Sequence, residues 1–412
     1  MSRITDFARE SSTREVTNSP RLPQAYGGPG AVAAPIPVPL LTVLLSSAGI
    51  VIGVLWDISW HKTIGRDSFW TLPHVLEQLG AIVAGLSCGW LVLHTTFAGS
   101  AEQRGASVRF WGFRGPLGAW VTIWGTFVML TSAPFDNWWH NAYGLDVKIV
   151  SPPHMVLATG MISVTVGAML MVLAAQNRAR DPRKVRALAW TFAFAGGLLL
   201  VMVATMISEY SSRPNNMHRP LFYQVAAGAF PIFLVAFSRS GRLRFPATVS
   251  AALYMGIILF MMWTLQLFPA QAKLAPIYTA VTHMVPPEFP LLLVLPALAI
   301  DWLARRAGRE HDWLLAAATG LSFLTVLFAA QWFFGEFLLS PAARNFFFAA
   351  DQWPYMVEPG PWQHRFWGVP RDAAGNFDLA TMVRGLGLAA VIAVASARVG
   401  LWWGSGMSRV MR

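Results

Sequence analysis

Charge is scarce in this chain. Only 12% of its 412 residues are Asp, Glu, Lys or Arg, while 55% are hydrophobic; a soluble domain carries about twice that share of charge. A water-soluble enzyme, a disordered protein and a coiled coil are excluded, because each needs a charged, solvated surface. Cysteine is nearly missing. Cys88 stands alone inside an apolar run, which excludes a disulfide framework, a CxxC redox pair and a thiolate metal cluster. Also missing are a Walker motif, a GxGxxG fingerprint, a GxSxG elbow, an HExxH pair and a CxxCH haem site. ATP hydrolysis, serine-hydrolase chemistry and c-type haem attachment are left without support.

What the chain has instead is long apolar runs. About 20 apolar residues span a bilayer, and ten stretches qualify: 38–56, 75–98, 116–135, 155–175, 187–208, 221–238, 247–268, 289–304, 313–334 and 381–403. The runs at 221–238 and 289–304 are short. The 19 Trp and 27 Phe suit a lipid-facing surface with aromatic belts. The predicted fold class is all-α: a polytopic integral membrane bundle of about ten helices in contact with membrane lipids. It occupies 37–404, between a disordered tail at 1–36 and a short tail at 405–412.

The formal charge of +11 resembles a nucleic-acid footprint until its placement is examined. Basic residues crowd into alternate loops, such as Arg104, Arg109 and Arg114, then Arg178, Arg180, Arg183, Lys184 and Arg186, then Arg239, Arg242 and Arg244, then Arg305, Arg306 and Arg309. The positive-inside rule then puts both termini in the cytoplasm, in the inner (plasma) membrane of a bacterium. The excess is a topology signal and no nucleic-acid partner is expected. Residues 1–36 have no apolar core, so a cleavable signal peptide does not fit.

Seven of nine histidines fall on the opposite, outer side: His61, His74, His140, His154, His218, His283 and His364. Two outer loops repeat one another. Asp57, Trp60, His61, Gly65 and Asp67 precede Pro73-His74; Asp136, Trp139, His140, Gly144 and Asp146 precede Pro153-His154. The segments 38–98 and 116–175 therefore read as a tandem duplication of a helical hairpin in one orientation. If each outgoing helix runs on past the apolar stretch, Asp57 and His61 share a face at i and i+4, as do Asp136 and His140. Gly65 and Gly144 allow a left-handed exit, and Pro73 and Pro153 suit the first turn of the returning helix, which brings back His74 and His154. One carboxylate and two imidazoles suit copper, with iron or zinc as alternatives. Glu77, three residues after His74, is a further ligand or supporting group in the first hairpin alone. Interfacial anchoring and helix capping compete with this reading, but capping does not require two histidines at kept positions in both copies.

Other candidates are His218 beside Met217 and His283 beside Met284, pairings of imidazole and thioether that suit copper(I). The outer segment 335–380 is too long for a connector and reads as a cap over the outer face. Gly85 and Gly89 form a GxxxG pair.

Asp57, His61 and His74, in the spacing D-x3-H-x12-H, resemble the copper motif in the C subunit of the particulate methane and ammonia monooxygenases. The likeness covers 18 residues, and the second copy departs from it by one residue between His140 and His154. It implies copper on Asp57, His61 and His74, and oxidation of a small or lipophilic substrate with electrons from quinol or a periplasmic or membrane donor. Copper acquisition or delivery to a membrane oxidase is the alternative expectation, followed by a structural subunit of a membrane complex. Transport ranks last, because the span centres hold almost no charge.

Overall fold

Proline marks where the helices begin. Six of the ten helices that build the bundle carry it at their first or second position, where its missing N–H costs nothing and its fixed φ suits the helix. The computed structural model describes residues 36–65, 70–143, 151–211, 213–273, 281–307, 311–351 and 368–412. In chain order the helices are α1 (Val38–Thr63), α2 (Leu72–Phe97), α3 (Leu117–Tyr143), α4 (Pro152–Arg178), α5 (Pro182–Met206), α6 (Pro220–Ser240), α7 (Pro246–Leu265), α8 (Val294–Arg306), α9 (Asp312–Leu339) and α10 (Leu379–Met407). All except α8 are long and apolar enough to cross a membrane. The protein is an all-α polytopic membrane bundle. Its one sheet among the described residues is a hairpin, β1 (Val108–Phe110) and β2 (Phe113–Gly115). Trp111 and Gly112 turn it with positive φ, as a two-residue hairpin loop demands.

The α8 crossing departs from the sequence expectation. The 289–304 run is not one helix. Pro286, Pro287 and Pro290 remove N–H donors and forbid helical continuity, so the chain is non-helical to residue 293 and helical only from Val294. It enters beside the end of α7, where Met284 N–H donates to Phe268 O (3.0 Å). It leaves beside the start of α7, where Thr248 N–H donates to Asp301 Oδ2 (2.8 Å). Backbone without a helix at membrane depth needs partners from the protein. Here Thr63 Oγ1 accepts from Val285 N–H, Tyr254 Oη from Leu291 N–H and Gln331 Oε1 from Leu292 N–H. Among the described residues, nine helices are thus long enough to cross, and this broken element runs beside α7 from its end to its start.

Close packing is set by small residues. A Cβ on Gly125 would stand 2.8 Å from Gly160 O, and one on Gly160 would stand 2.8 Å from Gly125 O, so α3 and α4 meet backbone to backbone. Gly400 and Gly404 of α10 sit against Ile232 O and Ala236 O of α6 in the same way. Of the predicted GxxxG pair, Gly85 meets Thr126 of α3 and Gly89 meets nothing. The most buried helix is α5, while α2 and α10 keep most of their surface outward.

Candidate metal centres

Both outgoing helices run well past their apolar stretches, α1 to Thr63 and α3 to Tyr143. The i, i+4 relation therefore holds at both motifs. Gly65 closes α1 with φ +96°; Gly144, Asp67 and Asp146 lie outside the described residues. Pro73 and Pro153 stand in the first turns of α2 and α4 as expected. Gly53 of α1 lies against Pro73 O and Glu77 of α2, which holds the two helices together directly beneath the first motif.

In the first hairpin Asp57 Oδ2 lies 3.6 Å from His61 Nε2, and Asp57 Oδ1 lies 3.3 Å from His74 Nε2. In the second, Asp136 Oδ1 lies 3.4 Å from His140 Nε2 and 3.8 Å from His154 Nε2. Within each triad one ligand atom per residue lies within 4.8 Å of the others. Ligands about 2.1 Å from a shared ion stand about 3.4 Å apart in a tetrahedron, close to the 3.3–3.8 Å between carboxylate and imidazole here. One carboxylate oxygen in each set points the same way, although only Asp136 Oδ1 faces both imidazoles of its triad. Asp57 Oδ1 and Asp136 Oδ1 are both buried, and neither accepts a hydrogen bond among the described residues. A buried carboxylate oxygen normally has a partner, and the same orphan recurs in both copies. The imidazoles remain partly open, His61 most of all at 38% exposure, so solvent can reach them.

The two triads open on one end of the bundle. α2 runs antiparallel to α3: Thr126 Oγ1 donates to Ala81 O at mid-span, and Arg114 N–H donates to Thr96 Oγ1 at the opposite end. The start of α2, with His74, and the end of α3, with Asp136, therefore share an end. The arginine-rich loops gather at the other, where Asn177 donates to Val410 O and Arg305 to Arg244 O.

The remaining candidates join neither triad. His218 is buried, its ring stacked on Trp332 at 3.7 Å and its Nε2 3.0 Å from Trp332 O. Its neighbour Met217 accepts from Gln331 Nε2 at 3.2 Å. Burial pushes the His218 imidazole down to about 4, which suits a neutral ring in the protein interior. His283 Nδ1 lies 2.9 Å from Thr282 Oγ1 in a bridge to Pro269. Glu77 is buried at the α1–α2 contact, one turn beyond His74. Of the predicted cap at 335–380, residues 340–351 fold against the end of α7 through Trp263 and Gln266, and 352–367, with His364, lie outside the described residues.

Sequence reasoning missed the ion pair beside the first triad. Lys62 Nζ donates to Glu288 Oε1 at 2.8 Å, across 226 positions of sequence, and no local pattern reveals it. Comparison of the chain with family models, curated proteins and solved structures returned no match.

Proposed function

We propose that this membrane protein holds two metal ions, one on Asp57, His61 and His74 and one on Asp136, His140 and His154, and that the metal is copper. The observation that carries this reading is the duplicated orphan. In each hairpin a buried carboxylate oxygen that accepts no hydrogen bond among the described residues lies close to an imidazole nitrogen, Asp57 Oδ1 to His74 and Asp136 Oδ1 to His140. Two neutral imidazoles and one carboxylate suit copper(II) and leave room for an exogenous ligand. On this basis, and on the likeness of the first motif to the particulate monooxygenases, the protein is an oxidoreductase acting on a small or lipophilic substrate at the motif face. In that role the carboxylate and imidazoles hold and orient the ion, which supplies Lewis acidity and one-electron chemistry. Membrane quinol or an external carrier is the electron source. Copper acquisition or delivery to a membrane oxidase is the second reading, favoured by the solvent exposure of His61, which eases exchange of the ion.

Metal analysis of detergent-purified protein with electron paramagnetic resonance tests the sites. The expected result is two copper ions per chain, falling to one in His61→Ala or His140→Ala and to none in the double variant. Folded, metal-free wild type after copper reconstitution, or variants that keep both ions, would sink the proposal. His94→Ala and His311→Ala are controls that should keep both ions.

A further inference from the structure

The short helix α8 leaves a gap in the wall of the bundle. Its 13 residues rise about 20 Å, against a hydrocarbon core of about 30 Å. Beside it lies an open groove of about 450 Å³ between α8, α9 and the start of α7, with Leu295, Leu298 and Trp302 on one side, Ser322 on the other and Phe245 at the end. Those α8 side chains are close to half exposed. In a membrane they face acyl chains.

Three arginines stand where this groove meets the arginine-rich end. The Arg306 guanidinium lies 3.7 Å from the Trp302 ring centroid, and Arg305 and Arg244 lie 5.1 and 5.3 Å from that of Phe245. Arg305 Nη1 also donates to Arg244 O at 3.1 Å. Stacking fixes the planar groups while their edge N–H donors stay available for an oxyanion. Of the described carboxylates on α8 and at the start of α9, Asp301 is engaged with Thr248 and Asp312 with Arg239. Among the described residues none of the three guanidiniums forms an ion pair. Three like charges thus sit at the mouth of an apolar groove.

We propose that the groove binds an anionic phospholipid, with one acyl chain along α8 and the headgroup phosphate among Arg244, Arg305 and Arg306. Shape and charge point to the same occupant. The groove takes a chain and not a polar molecule, and the arginine cluster favours a net negative headgroup over a zwitterionic one. The inference is independent of the metal centres.

Native mass spectrometry of the full-length protein with equal phosphatidylglycerol and phosphatidylcholine tests it. Wild type should retain phosphatidylglycerol preferentially, and Arg305→Gln and Arg306→Gln should each lower that preference by about fivefold. Leu298→Trp, which fills the groove, should reduce retention of both lipids. Equal retention of the two lipids by wild type, or a preference unchanged in the double arginine variant, would overturn the proposal. So would displacement of the lipid by millimolar inorganic phosphate, which would make the cluster an anion site without a chain. Unaltered elution and helical circular dichroism in each variant exclude misfolding as the cause.

Discussion

The α1–α2 and α3–α4 hairpins carry the same three potential ligands in different settings. Beneath the first triad Glu77 is buried against Gly53; at the equivalent positions of the second stand Leu157 and Ser132, whose hydroxyl is spent on Met129 O. The end of α1 is also tied to distant chain. Lys62 bonds Glu288, Thr63 accepts from Val285, and Ile64 O accepts from Lys273. The end of α3 contains Pro134 and packs on its own aromatics, Phe135, Trp138, Trp139 and Tyr143, of which Trp138 and Tyr143 are exposed. Duplication kept the donor atoms and let the support diverge. Because supporting groups set the rigidity and basicity of a metal's ligands, the first centre is expected to hold its ion tightly and the second to exchange it readily.

The comparison breaks most visibly at Glu77. Glu77→Leu, which copies the second hairpin into the first, should weaken metal binding at the first centre by about 10- to 100-fold and leave the second unchanged. Chelator competition resolves the two affinities. Equal loss at both centres would mean that Glu77 supports the fold and not the ion. A smaller effect is expected at the ion pair. Lys62→Met leaves Glu288 without its partner and should cost about 1–2 kcal/mol, between the values for exposed and buried pairs. Denaturant titration in mixed micelles reads that loss, and metal release should quicken at the first centre alone.

The smallest effect separates the hairpins from the rest of the bundle. His218 lies outside both. With its imidazole held down at about 4, the unfolded chain takes up the proton first, below its ordinary value of about 6.5. Stability should therefore fall as pH drops from about 6.5 to 4 and change no further below that. The slope of thermal stability against pH should flatten in His218→Asn. A slope unaltered by the substitution would assign the acid sensitivity to other groups.

The helices were legible because a bilayer imposes length and apolarity on each span separately, so α1 to α7, α9 and α10 are readable one run at a time. The triads were legible because all their donors lie within two short stretches repeated by duplication. Legibility ended where partners come from far along the chain. The adjacency of Met217 and His218 reads as a soft metal site, but Trp332 and Gln331 of α9 occupy both residues. The 289–304 run satisfies a hydropathy count, which is blind to Pro290 and to the two prolines just before the run that keep its first five residues out of a helix.

That broken crossing bears on how the chain is made. A continuous apolar helix satisfies its own backbone and can pass into lipid as soon as it is synthesised. The stretch from Val285 to Leu293 cannot, because three of its amide donors are taken up by Thr63, Tyr254 and Gln331. Gln331 lies in α9 and emerges from the ribosome later than the residues it must receive. The eighth crossing is consequently a late event in biogenesis, settled as one unit with the ninth and leaning on helices already in place.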